Sequence, residues 1–205
     1  MTGIGYTTDD RKLIQFNLNH RYGRISDWDQ DILESSLTTR VRLSDQVNLS
    51  HQIERGLTLN ARGGFSGNRV NGEVLIGGRD VRRLNNTLTM NYTISVKQSA
   101  NLRLYHNWSR VSYNEFYSLG TDRSLTPTTT VPTTSPQTNF NFLSLDINYQ
   151  FQFAPGSFLN LNAKTNLNAR SQDVSVAFGE NFKNVLEEPR FTSISAKVIW
   201  FFNRW

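Results

Sequence analysis

The chain has 205 residues, 37% of them hydrophobic, a mean hydropathy of −0.49 and a net charge of +5. That is one domain's worth of sequence, and no apolar run approaches the roughly 18 residues of a transmembrane helix. With no cysteine there is no disulfide, thiolate metal site or cysteine nucleophile, and the basic residues form no run or stripe, which argues against nucleic acid as a partner.

Met1 is followed by Thr-Gly-Ile-Gly and then by Asp9, Asp10, Arg11 and Lys12. There is no apolar stretch and no small-residue cleavage site of a signal peptide. The expectation is a mature sequence with a replacement Met, or a fragment of a longer protein. Period-two alternation then predicts eight strands. The first, 12–22, sets Ile14, Phe16 and Leu18 against Gln15, Asn17 and Asn19. The second, 32–43, sets Leu33, Leu37, Val41 and Leu43 against Glu34, Ser36, Arg40 and Arg42. The third, 47–61, follows a short turn. Six glycines from Gly63 to Gly78 predict a long loop, with a small hairpin at Glu73 to Ile76. The fourth and fifth strands are 82–96 and 101–113.

Residues 114–139 are Thr/Pro-rich, and Pro127, Pro132 and Pro136 predict an unpaired, mobile loop. The sixth strand, 140–153, has Leu143, Leu145, Ile147, Tyr149, Phe151 and Phe153 on one face. Ala154-Pro155-Gly156-Ser157 is a tight turn, and the seventh strand is 158–169. Residues 181–187 predict a helical turn. The eighth strand, 191–205, ends on Trp200, Phe202 and Trp205, the aromatic terminus that barrel assembly machinery reads as its assembly signal. Turns after even strands are short and loops after odd strands are long, as in outer-membrane barrels, which puts the short turns on the periplasmic side and the Thr/Pro-rich loop outside.

The fold expected is therefore an all-β, antiparallel, up-and-down transmembrane β-barrel of about eight strands, one domain over 1–205, or the C-terminal part of a larger barrel. Gly77 to Arg110 (GGRDVRRLNNTLTMNYTISVKQSANLRLYHNWSR), the segment from Asn139 (NFNFLSLDINYQFQFAPGSFLNLNAKTN) and the final strand resemble an uncharacterised C-terminal domain of Bacteroidota envelope proteins. There the domain usually follows a module similar to family-9 carbohydrate-binding domains. The chain departs from that pattern at Phe151-Gln152, where the family has Trp-Glu, and at Lys97-Gln98-Ser99, where it has a Thr-Pro-Asn turn. The resemblance implies an outer-membrane barrel and brings no established activity with it.

Apolar faces turned to lipid leave Glu34, Arg40, Arg42, Arg83, Arg103, Asp146, Lys164 and Lys197 in the lumen, with Asn91, Asn148, Asn162 and Asn166. Such charges must be paired or hydrated, so Glu34 and Asp146 are expected beside cations. His20, His51 and His106 fall on the apolar face, an awkward place in lipid that marks a register error, a bulge or a surface covered by a partner. Asp27, Asp29 and Asp31 have calcium-loop spacing without its Gly or closing Glu and read as a solvated loop. No catalytic constellation, metal site or cofactor motif emerges. The expected location is the outer membrane, and the role is structural, anchoring or binding through the loops. The expected partners are outer-membrane lipid, the assembly machinery and other envelope proteins or glycans. The alternatives are a soluble β-barrel that binds a small apolar ligand, with its apolar faces inward, and a part of a larger channel-forming barrel.

Overall fold

The computed structural model describes residues 1–202; Trp205 lies outside them. Eleven strands form one antiparallel meander: β1 (Thr2–Thr7), β2 (Ile14–Ile25), β3 (Gln30–Arg42), β4 (Val47–Gly63), β5 (Arg69–Val70), β6 (Glu73–Ser95), β7 (Gln98–Leu119), β8 (Leu125–Thr128), β9 (Thr138–Ala154), β10 (Ser157–Ser171) and β11 (Phe191–Ile199). Among the described residues there is one α-helix, α1, spanning Phe178–Glu187. The hydrogen-bonded order is β1-β2-β3-β4-β6-β7-β9-β10-β11, with β5 attached to β6 and β8 to β7. The expected closure into a barrel is not present among the described residues: β1 and β11 are both free edges.

All eight predicted strands exist, and the differences are local. A ninth, β1, pairs with β2 over Thr2↔Tyr22 to Thr7↔Asn17; its two glycines hid its alternation. The strands run further toward the long-loop ends than expected. The connection from β2 to β3 shrinks to residues 26–29, and the glycine-rich loop shrinks to 64–72, because Gly77 and Gly78 lie within β6. The 114–139 loop loses 114–119 to β7 and 125–128 to β8. Pro127 pairs opposite Tyr117 in β8, which is possible because β8 is a short outer strand whose far side needs no donor. At the other end β11 stops at Ile199, so Trp200 and Phe202 lie beyond the ladder. Pro155 and Gly156 make the tight turn as read, with Gly156 at φ 72°, the value that the third position of a type II turn requires.

Register fixes two faces. One row runs Ile14, Val41, Leu49, Met90, Leu102, Ile147, Ala163, Ile194 across eight strands. On the opposite face the adjacent row runs Gln15, Arg40, Ser50, Thr89, Arg103, Asp146, Lys164, Ser193. None of the eight apolar residues is buried. On β2 the apolar side chains are the exposed ones: Ile14, Phe16 and Leu18 are 43–47% accessible, whereas Gln15, Asn17 and Asn19 are half-buried. Among the described residues the packed core is small: Leu143, Leu167 and Val185, joined by Leu104, Ala169 and Phe182 where α1 lies on the apolar face of β9 and β10. The accessible surface is 13,720 Å², against about 9,800 Å² for a compact monomer of this mass. The sheet is a single layer.

Asp122 and Asp173, in the two longest loops, each accept the amide and hydroxyl of the serine two residues on, at 2.6–3.1 Å. These bonds, the hydroxyl foremost, hold both carboxyls below the usual aspartate range. A lowered pKa in the folded state means that the turns are fully held above the ordinary value and released only as pH falls through the lowered one. A carboxyl NMR titration tests this, and midpoints at the ordinary aspartate value would refute it. The loop before β9 is pinned as well. Gln137 exchanges two hydrogen bonds with the backbone of Tyr113 (2.9 and 3.0 Å), and Gln172 donates to the Ser135 carbonyl at 3.1 Å. Limited proteolysis should therefore cut first within 129–134, and Gln137→Ala should extend cleavage to 135–138. First cleavage at 125–128 would contradict the pairing of β8.

Candidate functional site

The eight side chains expected together do share one face, since the ladder gives Glu34, Arg40, Arg42, Arg83, Arg103, Asp146, Lys164 and Lys197 the same parity. They do not converge on a point. Arg103, Asp146 and Lys164 are consecutive in one row, with Lys164 Nζ 3.3 Å from Asp146 Oδ1. Glu34 faces Arg21 at 4.0 Å, and Arg40 donates to Gln15 Oε1 at 3.3 Å. The expected pairing of the two carboxylates with cations holds. Arg42, Arg83 and Lys197 lie elsewhere on the face and make no ion pair among the described residues.

The neighbouring row is neutral: Asn48, Asn91, Asn101, Asn148 and Asn162 stand on five successive strands, with Arg42 at one end and Ser195 at the other. Asn101 donates to Asn91, and Asn162 to Ser195 Oγ at 3.5 Å. Three rows up, Asn107 donates to Asn85 (2.5 Å) and Asn85 to Glu54 (3.2 Å), which also takes a bond from Gln52 at 2.8 Å. This face is a hydrogen-bonded amide lattice crossed by a few charges. It can bind water and polar solutes along its length.

Two other clusters escaped the sequence reading. The first lies under α1. His106 is 3% accessible, with Phe178 and Phe182 edge-on to its ring at 5.8 and 5.1 Å. Asn141 gives its amide N–H to the Asn181 carbonyl at 2.7 Å, so its own oxygen faces His106 Nε2 at 2.8 Å. Only a donor can face that oxygen, so Nε2 carries the hydrogen and Nδ1 accepts from Asn86 at 3.3 Å. Beside it, Trp108 Nε1 donates to Asn139 Oδ1 (2.8 Å), and Asn139 to Asn181 Oδ1 (2.9 Å). The awkward histidine on the apolar face is thus a covered, fully bonded one. The signal for it was present in the alternation of His106, Trp108, Asn139 and Asn141 where aliphatics were due.

The second cluster stands at the long-loop end of β4, β6 and β7. Gly63 and Gly77 are register partners. A Cβ on Gly63 would sit 2.3 Å from Arg79 Cζ, and one on Gly77 would sit 2.2 Å from Tyr113 Cδ1. The missing side chains leave a slot in which the Arg79 guanidinium and the Tyr113 ring lie, joined by a 3.0 Å hydrogen bond from Arg79 Nη1 to the Tyr113 hydroxyl. On the other face, Gly78 makes room for the Arg62–Glu115 pair at 2.6 Å, and Arg62 stacks 3.9 Å over Tyr117. These glycines read as loop residues because close approach and looping look alike in sequence. Asp29 and Asp31 of the acidic loop turn to Arg24 (2.7 Å) and Tyr22 (2.7 Å).

What fold and faces define is an all-β domain of one antiparallel sheet, apolar on one side and amide-lined on the other. The chain belongs to a domain family of unknown function, DUF5916, which matches over residues 1–204. No curated protein and no solved structure matches it.

Asn141→Leu removes the acceptor of His106 and the donor to Asn181 together. Leaving two buried groups unmade is expected to cost about 2–4 kcal/mol and to open α1 to cleavage after Lys183. Asn148→Leu, on the half-open amide row, should cost under about 1 kcal/mol. Equilibrium unfolding and trypsin digestion read both variants, and equal losses would show that the covered cluster has no special weight.

Proposed function

We propose that the chain forms part of the wall of an outer-membrane β-barrel, with its apolar face against lipid and its amide face toward a lumen. Its role is structural, anchoring or binding through the long loops. One observation carries this reading: the apolar row is eight strands wide, and none of its residues is buried. In water such a face calls for a second layer; lipid supplies one. The dimensions agree. On β9 the apolar run from Leu143 to Phe153 spans about 34 Å along the strand and about 26 Å at a typical barrel tilt, close to the roughly 25 Å apolar band of such barrels. Trp200 stacks on Phe202 at 5.4 Å and meets Phe153 edge-on at 5.8 Å, at the short-turn end where an aromatic girdle belongs. Trp200, Phe202 and Trp205 are the residues that we assign to recognition by the assembly machinery.

Open edges favour the larger-barrel form of this reading. Every residue of β1 and β11 is exposed, and unpaired strand edges are not tolerated in hydrocarbon. In this form of the reading, further strands join β1 to β11. β6 and β7, at 23 and 22 residues, are about twice the roughly 9–11 needed to cross, so their long-loop ends stand clear of the bilayer and carry the glycine slot.

Leu145→Arg or Ile147→Arg would place a cation in lipid and is expected to cost roughly 2–4 kcal/mol. Asp146→Asn leaves only the half-exposed Lys164 without its partner and should cost about 1 kcal/mol. Reversible unfolding in lipid vesicles compares the three, and Asp146→Asn as the worst variant would exchange the faces. Recovery of the full chain from cells as a monodisperse protein without detergent would sink the membrane reading itself.

A further inference from the structure

A cavity of about 870 Å³ lies at the long-loop end, within the range of small-molecule sites. Three arginines line it, Arg69, Arg79 and Arg170, and no carboxylate does. None of the three has an ion-pair partner among the described residues. Arg79 is the built member of the set. The Gly63 slot holds its guanidinium, one N–H is spent on Tyr113, and Nε is buried with no acceptor. A half-buried cation without a counter-charge is costly, and an anion in the cavity would relieve it. The rest of the wall is hydroxyl-rich and aromatic: Ser66, Thr133, Thr134 and Ser135 beside the rings of Phe65 and Tyr113, which meet edge-on at 5.4 Å.

We propose that this cavity binds an acidic carbohydrate, a sugar carrying a carboxylate or sulfate. The oxyanion lies against Arg79, with Arg170 and Arg69 flanking it. The hydroxyl side chains and the Phe65–Tyr113 rings take the sugar's hydroxyls and its apolar face. Guanidinium suits oxyanions through paired N–H donors in a fixed plane, and rings beside hydroxyls suit a pyranose better than a bare ion. The site is made by β5, β6, β7, β9, β10 and the loops at their long-loop end, so it stands whether or not the sheet faces lipid.

The test is calorimetric titration of the full chain, in detergent if it requires detergent, with trigalacturonate, maltotriose and sodium sulfate as separate probes. Saturable binding of trigalacturonate is expected, at least tenfold tighter than that of maltotriose or sulfate. Arg79→Gln should weaken it tenfold or more. Arg79→Lys should also weaken it, because charge without the planar fork does not restore the contact. Arg170→Gln, at an exposed position, provides the arm least exposed to misfolding and should weaken binding at least threefold with an unchanged unfolding transition. Absence of trigalacturonate binding, or binding indifferent to both Arg79→Gln and Arg170→Gln, overturns the proposal. Sulfate binding as tight as trigalacturonate overturns the sugar assignment.

Discussion

Side chains of successive strand residues leave opposite faces, and here the ladder keeps that alternation in step across eight strands. One face consequently carries an apolar row across all eight, and among the described residues α1 covers part of that face. Burying apolar surface is the main favourable term in folding, yet this sheet leaves about 40% more surface accessible than a compact monomer of its mass would. Most of its stabilisation within the chain must come from ladder hydrogen bonds and cross-strand pairs, worth a few tenths of a kcal/mol each. The remainder depends on what lies against the apolar face and on what joins the two edges.

The strands were legible where period two is clean. Leu143 to Phe153 and Lys12 to Tyr22 needed nothing beyond their own pattern. Legibility failed where a residue's usual meaning differs from its local task. Gly3 and Gly5 weaken the signal of β1, although each sits in a strand close to its neighbour: a Cβ on Gly3 would lie 3.0 Å from the His20 carbonyl oxygen. Gly77 and Gly78 read as a turn but are strand positions emptied for larger neighbours. Pro127 reads as a breaker but tolerates an outer position. The shared face of the eight charged residues followed from parity alone. Their dispersal did not, because parity says nothing about which strands are neighbours across the sheet. Closure was likewise beyond a pattern that describes one strand at a time.

α1 shows how a polar patch is accommodated on an apolar face. His106, Trp108, Asn139 and Asn141 interrupt the aliphatic sequence just where a helix arrives to bond them, through the carbonyl and amide of Asn181 and the rings of Phe178 and Phe182. The strand donors Asn139 Nδ2 and Asn141 Nδ2 each find an acceptor on Asn181, whose own Nδ2 is buried without one. The same interruption without the helix would leave buried N–H groups unmet.

The charged and amide rows have a consequence for how strands find their partners. Apolar contacts are nearly interchangeable, so a slip of two residues between β9 and β10 would keep each face's character and lose little hydrophobic burial. The polar rows are not interchangeable in this way. Such a slip sets Asp146 against Asn162 or Asn166 instead of Lys164, and the second of these also sets Lys164 against Asn148 in the line of asparagines. The apolar face thus selects the parity of each strand, and the polar face selects the register within that parity. A chain in which the amides were all replaced by serine would keep its amphipathic character and lose its means of telling one alignment from the next.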